Sequence, residues 1–239
     1  MTERGMIFNA EMVRAILDGR KTQTRREVKL NLDIARLATT YDWATSLAAN
    51  HYQGLTEEQI QQKAESLCGV IHPVILDNGQ MVSIICPHGK PGDRIWVRET
   101  FAALEPGSYE QVKPQDGHCQ DLRYAATDRL AKSDADIRGY KWVPSIHMPR
   151  WASRIQLEIT DVRVERLNAI SEEDARAEGI IDGGCLNCGE PEPCGCANPE
   201  PDATDAFAYL WQSIYGQENW NANPWVWVIS FKRVEGGAA

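Results

Sequence analysis

Apolar residues recur along the chain at two periods, and the switches between them lay out most of the elements. Met6, Ile7 and Phe8 form a short apolar run that predicts a first strand. Asn9 stands where a helix needs an N-cap, and Met12, Val13, Ile16 and Leu17 fall on one helical face. Gly19 is placed to end that helix after about ten residues. The segment Thr22-Gln23-Thr24-Arg25-Arg26 leaves it as loop or strand. Residues 33–67 read as mostly helical, with Ile34, Leu37 and Ala38 at helical spacing and a capping box at Thr56-Glu57-Glu58-Gln59. Between 70 and 86, two short strands flank the Asn78-Gly79 turn. Pro91-Gly92-Asp93 turns into a strand over 94–102, and 105–140 is a polar excursion with one short helix. Arg154 to Val164 alternates apolar and polar, as a half-buried strand does. Ser171-Glu172-Glu173-Asp174 opens a helix ending near Gly179. Residues 182–204 form a Gly-, Pro- and Cys-rich loop, 205–215 a helix, and Trp225 to Val234 a closing strand. The pattern is α+β, a small mixed sheet or barrel with helices in its connections.

A length of 239 residues, 43% of them hydrophobic, suits one large or two small domains. No apolar run approaches the roughly 20 residues of a membrane span, and the opening lacks the basic-then-apolar order of a signal peptide. The expectation is a soluble, cytoplasmic protein with no membrane partner. Seven unevenly spread cysteines argue against a secreted disulfide scaffold.

Net charge is −9, which by itself speaks against a nucleic-acid partner. Its distribution changes that. Residues 165–205 hold eleven acids against two bases, Arg166 and Arg176, which accounts for the whole −9. Residues 1–30 hold seven bases against four acids. Residues 138–154 carry Arg138, Lys141, Arg150 and Arg154 with no acid, interleaved with Tyr140, Trp142, His147 and Trp151. Cations between flat aromatics suit a single-stranded nucleic acid. They equally describe a solvated loop over core tryptophans.

Gly19-Arg20-Lys21-Thr22-Gln23-Thr24-Arg25-Arg26 fits G-x-K-x-x-x-x-R. It follows a helix ending ILDGRKT and is succeeded by the PGD turn and strand, HMPRWASRI, LNAISEEDARAEGI and an aromatic closing strand. That order resembles the ASCH domain, a β-barrel fold related to the RNA-binding PUA domains, in the longer form carried by bacteriophages and prophages. The resemblance covers about residues 6–27, 91–104, 142–180 and 205–234, leaving 30–88, 105–140 and 182–204 as insertions on a single domain. It implies a PUA-like barrel with helices in the connections. Small bacterial members of that superfamily are amidohydrolases that remove the acetyl group of N4-acetylcytidine. Their catalytic Lys and Thr match Lys21 and Thr24, and their catalytic Glu, counted eight residues on from Ile170, matches Glu178.

Amide hydrolysis at an exocyclic nitrogen needs a nucleophile, a base and an acid for the leaving amine. The resemblance implies Thr24 as nucleophile, Lys21 as its base and Glu178 as general acid/base. Desolvation and the neighbouring Arg20, Arg25 and Arg26 would lower the lysine's pKa. Direct activation of water by Lys21 stays open. Two non-catalytic readings also stay open: an RNA-binding module gripping its ligand through Arg20, Arg25, Arg26, Arg150, Trp151 and Arg154, and a phage assembly or interaction factor. Neither a G-x-S-x-G nor a P-loop pattern occurs, so serine-hydrolase and P-loop NTPase chemistry have no support. Cys185, Cys188, Cys194 and Cys196 could close a structural zinc site with no open position, or remain free thiols or a facultative disulfide. No organic cofactor is expected. The expected partner is RNA or a modified nucleoside.

Overall fold

The computed structural model describes residues 1–29, 34–38, 56, 58–59, 62, 70–114, 120–181 and 203–234. In chain order the elements are β1 (Glu3–Ile7), α1 (Ala10–Leu17), β2 (Gln23–Glu27), β3 (Ile34–Leu37), β4 (His72–Leu76), β5 (Met81–Ile84), β6 (Arg94–Arg98), β7 (Phe101–Leu104), β8 (Asp121–Tyr124), α2 (Ala135–Arg138), β9 (Gln156–Arg166), α3 (Glu172–Ala177), α4 (Ala203–Tyr215), α5 (Gln217–Ala222) and β10 (Trp225–Arg233). The α+β class is as expected. No helix among the described residues is long and apolar enough to cross a membrane.

Strands gather in sheets of five, three and two. The five-stranded sheet runs β1-β6-β9-β10-β2, so β1 and β2 are its edges. β1 lies parallel to β6, and the other three pairings are antiparallel. Alternation along β10 sends Trp227, Ile229 and Phe231 to one core and Val226 and Val228 to the other. The first core also takes Val13 and Ile16 of α1, together with Ile34, Val74 and Ile84 of the sheet β3-β4-β5. The second core is the seat of α3 and α4, through Ala175, Phe207 and Trp211.

Local chemistry sets the element ends. Asn9 caps α1 by accepting from the Met12 amide at 2.8 Å, and Ser171 caps α3 by accepting from Asp174 at 3.1 Å. Thr56 and Gln59 make the reciprocal bonds of a capping box. Gly79 turns the β4–β5 hairpin at φ 81°. Two expectations are corrected: Asp121–Tyr124, within the stretch read as a polar excursion with one short helix, is a strand paired with β7, and Ile34–Leu37, within the stretch read as helical, is a strand too. Pairing with β4 takes up its backbone, Ile34 is buried in the first core, and the Ile34 carbonyl accepts from Trp225 Nε1 at 2.9 Å. Tertiary pairing overrides the local periodicity there. The sequence pattern also missed α5, which follows Gly216.

Candidate functional site

Two backbone bonds bring Lys21 and Glu178 together. The Lys21 amide donates to the Ala15 carbonyl of α1 at 3.0 Å, and the Thr22 amide to Ala177 at the end of α3 at 2.8 Å. The start of β2 is thus pinned between two helix ends. Glu178 is the C-cap of α3, and Gly179 then turns the chain away at φ 89°. A Cβ on Gly179 would stand 2.8 Å from Ala15 Cβ and 3.0 Å from Lys21 Cβ, so the approach of α3 to α1 needs glycine.

Lys21 Nζ donates to Glu178 Oε2 at 2.6 Å and to the Glu178 carbonyl at 2.7 Å. The two side chains are 0% and 3% exposed. Burial pushes the Lys21 ammonium below its usual range; Glu178 offsets part of that, while Arg26 and Arg25 add to it. The other Glu178 oxygen accepts from Arg25 Nη1 at 3.3 Å.

Arg25 is the centre of a wider cage. Its Nη1 also donates to Gln23 Oε1 at 2.7 Å, and its Nη2 donates to Glu165 and, at 2.9 Å, to Asp174. Asp174 also accepts from Arg163 at 2.6 Å and Gln23 at 3.1 Å. Burial pushes the Asp174 carboxyl up, but the bonds and charges of Arg163 and Arg25 hold it below its ordinary value. Arg25 Nε is buried with no partner.

Beside this cage lies a cavity of about 190 Å³ in the gap between the edge strands β1 and β2. Thr24, Arg25, Arg26 and Glu178 line it together with Phe207, Trp211 and Tyr215 of α4. These aromatics are four residues apart and so share a helix face. The Trp211 and Tyr215 rings lie 4.4 Å apart, and Trp211 Nε1 is anchored on Asn219 at 2.8 Å. Among the described residues, no hydrogen bond engages the Thr24 hydroxyl. Register matters as well. Phe231 N–H bonds Thr22 O, and Val28 N–H bonds Trp225 O, so even-numbered residues of β2 pair with β10. The Arg25 amide and carbonyl therefore point to the open edge. Across the gap, Ile7 O accepts from Arg26 Nη2 at 2.7 Å.

Thr24, Arg25, Arg26 and Glu178 thus line one cavity, and Lys21 is buried against Glu178. Arg20 is close by, bonded to Gly179 O at 3.0 Å and paired with Asp18. Arg150, Trp151 and Arg154 do not line this cavity. Arg150 pairs with Glu3 at 3.0 Å, Trp151 packs against a small core of Phe101, Met148 and Ala152, and Arg154 grips Glu99. Cys185, Cys188, Cys194 and Cys196 lie outside the described residues. Among the described residues, no group of three or more His, Cys, Asp or Glu could hold a metal, and Cys86 is a buried free thiol. Sequence reasoning missed the aromatic wall, although the spacing of Phe207, Trp211 and Tyr215 in a helical segment was its signal. It also missed the caging role of Glu165 and Asp174, which no local pattern announces. No protein-family model, curated protein or solved structure matches the chain.

Proposed function

We propose that this cavity holds a modified pyrimidine nucleoside and that the chain is an ASCH-type, PUA-like protein hydrolysing the N4-acyl amide of cytidine. One observation carries the reading: Glu178, paired with a fully buried Lys21, lines the same aromatic-bearing cavity as Thr24, whose hydroxyl no hydrogen bond engages among the described residues. An aromatic face and an in-plane backbone donor and acceptor at Arg25 suit a flat base with a polar edge. In the proposed reaction the Thr24 hydroxyl oxygen attacks the acetyl carbonyl carbon, and its proton passes to the Lys21–Glu178 pair. The C–N4 bond then breaks as the pair returns that proton to N4, releasing cytidine and leaving acetyl-Thr24. Water hydrolyses this ester to acetate and regenerates the hydroxyl. Burial lowers the Lys21 ammonium from its usual range, the direction a lysine needs in order to exchange a proton with Thr24.

Incubation with N4-acetylcytidine, followed by chromatography for cytidine, tests this directly. Wild type is expected to turn over, and Thr24→Val to lose roughly 10⁴-fold or more, the scale on which a missing nucleophile acts. Absence of cytidine with the wild type overturns the catalytic reading. Salt-dependent RNA binding without turnover would replace it with a binding module.

A further inference from the structure

We propose that the cavity on the far side of Arg26 is a phosphoryl subsite, so that the natural ligand carries a phosphate on its ribose, as a mononucleotide or within an RNA strand. The inference rests on reading the first cavity as a pyrimidine pocket and extends the ligand beyond it. A second cavity, of about 430 Å³, shares Arg26 and Tyr215 with the first. A base stacked beside Tyr215 would send its ribose past those shared residues.

The walls of the second cavity suit an anion. Arg26, Lys29 and His88 line it together with Trp227, and Glu27 is the acid among them. The Arg26 guanidinium is fixed by Ile7 O and stacks 5.5 Å over the Phe8 ring. Its Nε–H is nevertheless buried without an acceptor. Its Nη1 makes no hydrogen bond among the described residues, and it is the donor that a phosphoryl oxygen in the cavity would take. Lys29 is exposed just past the end of β2, and among the described residues no carboxylate pairs with it. His88 stands behind Pro87 on the segment leaving β5, next to the buried Cys86. Burial, Arg26 and Arg4 push its imidazole down to about 4, and Arg4 is itself partly neutralised by Asp93 at 3.4 Å. The neutral ring has one N–H to offer. The excess of fixed positive charge around it is what an incoming phosphoryl group would offset.

His88 therefore reports occupancy without any turnover. Cytidine, its 5′- and 3′-monophosphates, a cytidine-centred RNA trinucleotide and inorganic phosphate are titrated calorimetrically, while the His88 ring resonances are followed against pH. At least one phosphate-bearing ligand is expected to bind about tenfold or more tighter than cytidine and to raise the His88 midpoint. Lys29→Ala is expected to lose that gain while keeping the affinity for cytidine. A trinucleotide tighter than both monophosphates identifies a strand as the source; equal affinity identifies a mononucleotide. Equal binding of nucleoside and nucleotides, or a gain that survives Lys29→Ala, overturns the subsite. If cytidine itself does not bind, the pyrimidine pocket fails separately. Inorganic phosphate then decides the subsite, a raised His88 midpoint supporting it and an unmoved one overturning it.

Discussion

Glu178 and Glu99 are both almost wholly buried, and each is held by a long cation, but the surroundings of the two pairs differ. Both Glu99 oxygens are taken by Arg154, Nε at 2.9 Å and Nη2 at 3.0 Å. The third guanidinium nitrogen reaches Thr127 at 3.0 Å, and the plane lies 4.0 Å from the Tyr124 ring. Nothing in that pair is left to act. Around Glu178, by contrast, Arg25 Nε lacks a partner, no hydrogen bond engages Thr24 among the described residues, and a cavity opens alongside. The same contrast divides the two basic stretches of the sequence. Arg138, Tyr140 and Trp142 bond inward to Ser133, Asp128 and Ala131, so most of the 138–154 stretch is architecture. A buried charge with all its bonds spent holds a fold together; one beside an unengaged hydroxyl and empty space leaves room for a ligand.

The largest effects should come from deleting the two carboxylates. Glu178→Ala strands a Lys21 side chain that is 0% exposed, and removing one partner of such a pair costs about 3–5 kcal/mol. Glu99→Ala leaves an Arg154 that is 26% exposed and can turn to water, so the expected loss is about 1.5–3 kcal/mol, that of a charged hydrogen bond. Urea unfolding of both variants measures the difference. Equal losses would mean that the two pairs are energetically alike and would undo the contrast.

A pair of glycines isolates the tightness of each region. Gly179 and Gly139 have nearly the same φ, 89° and 84°, so alanine brings the same backbone strain to both, roughly 1–2 kcal/mol. At Gly139 the new Cβ meets Tyr109 Cβ at 3.5 Å, an ordinary contact. At Gly179 it meets Ala15 at 2.8 Å and Lys21 at 3.0 Å, which adds about 1–3 kcal/mol of overpacking. Gly179→Ala should therefore be the less stable variant. Under the proposed function it should also lower turnover of N4-acetylcytidine, since Lys21 must shift, whereas Gly139→Ala should leave any turnover unchanged.

What the sequence made legible follows from range. Asn9, Ser171, the Asn78-Gly79 turn and the Thr56 capping box act within a few residues, and each is where the local chemistry puts it. The meeting of Lys21 with Glu178 spans 157 positions, so no local signal exists; only resemblance to a known domain put both residues on one list. Charge counting found the acidic segment and the basic loop but could not see that they are partners. Glu165, Asp174 and Glu178 enclose Arg25, and Glu178 neutralises Lys21, while Arg26 and Lys29 remain as cations lining the second cavity. Ile34 was misread because Ile34, Leu37 and Ala38 fit a helical face, while the partner that makes a strand lies near residue 75.

The smallest effects, and the ones that separate the regions most cleanly, lie in pH. His88, beside the candidate site, takes its proton near 6.5 when unfolded and near 4 when folded. Between those values the unfolded chain binds more protons, so stability falls as pH drops from 6.5 towards 4. Tyr140, in the other region, shifts the opposite way. Burial and its 2.7 Å bond to Asp128 raise the phenol from 10 to about 12. The unfolded chain then gives up its proton first, so stability falls as pH rises from 10 to 12. Urea midpoints across both ranges should show His88→Asn flattening the acid limb alone and Tyr140→Phe the alkaline limb alone, the latter from a lower baseline because Asp128 loses a donor. If one variant flattened both limbs, the two regions would share an electrostatic unit, and the separation between them would fall.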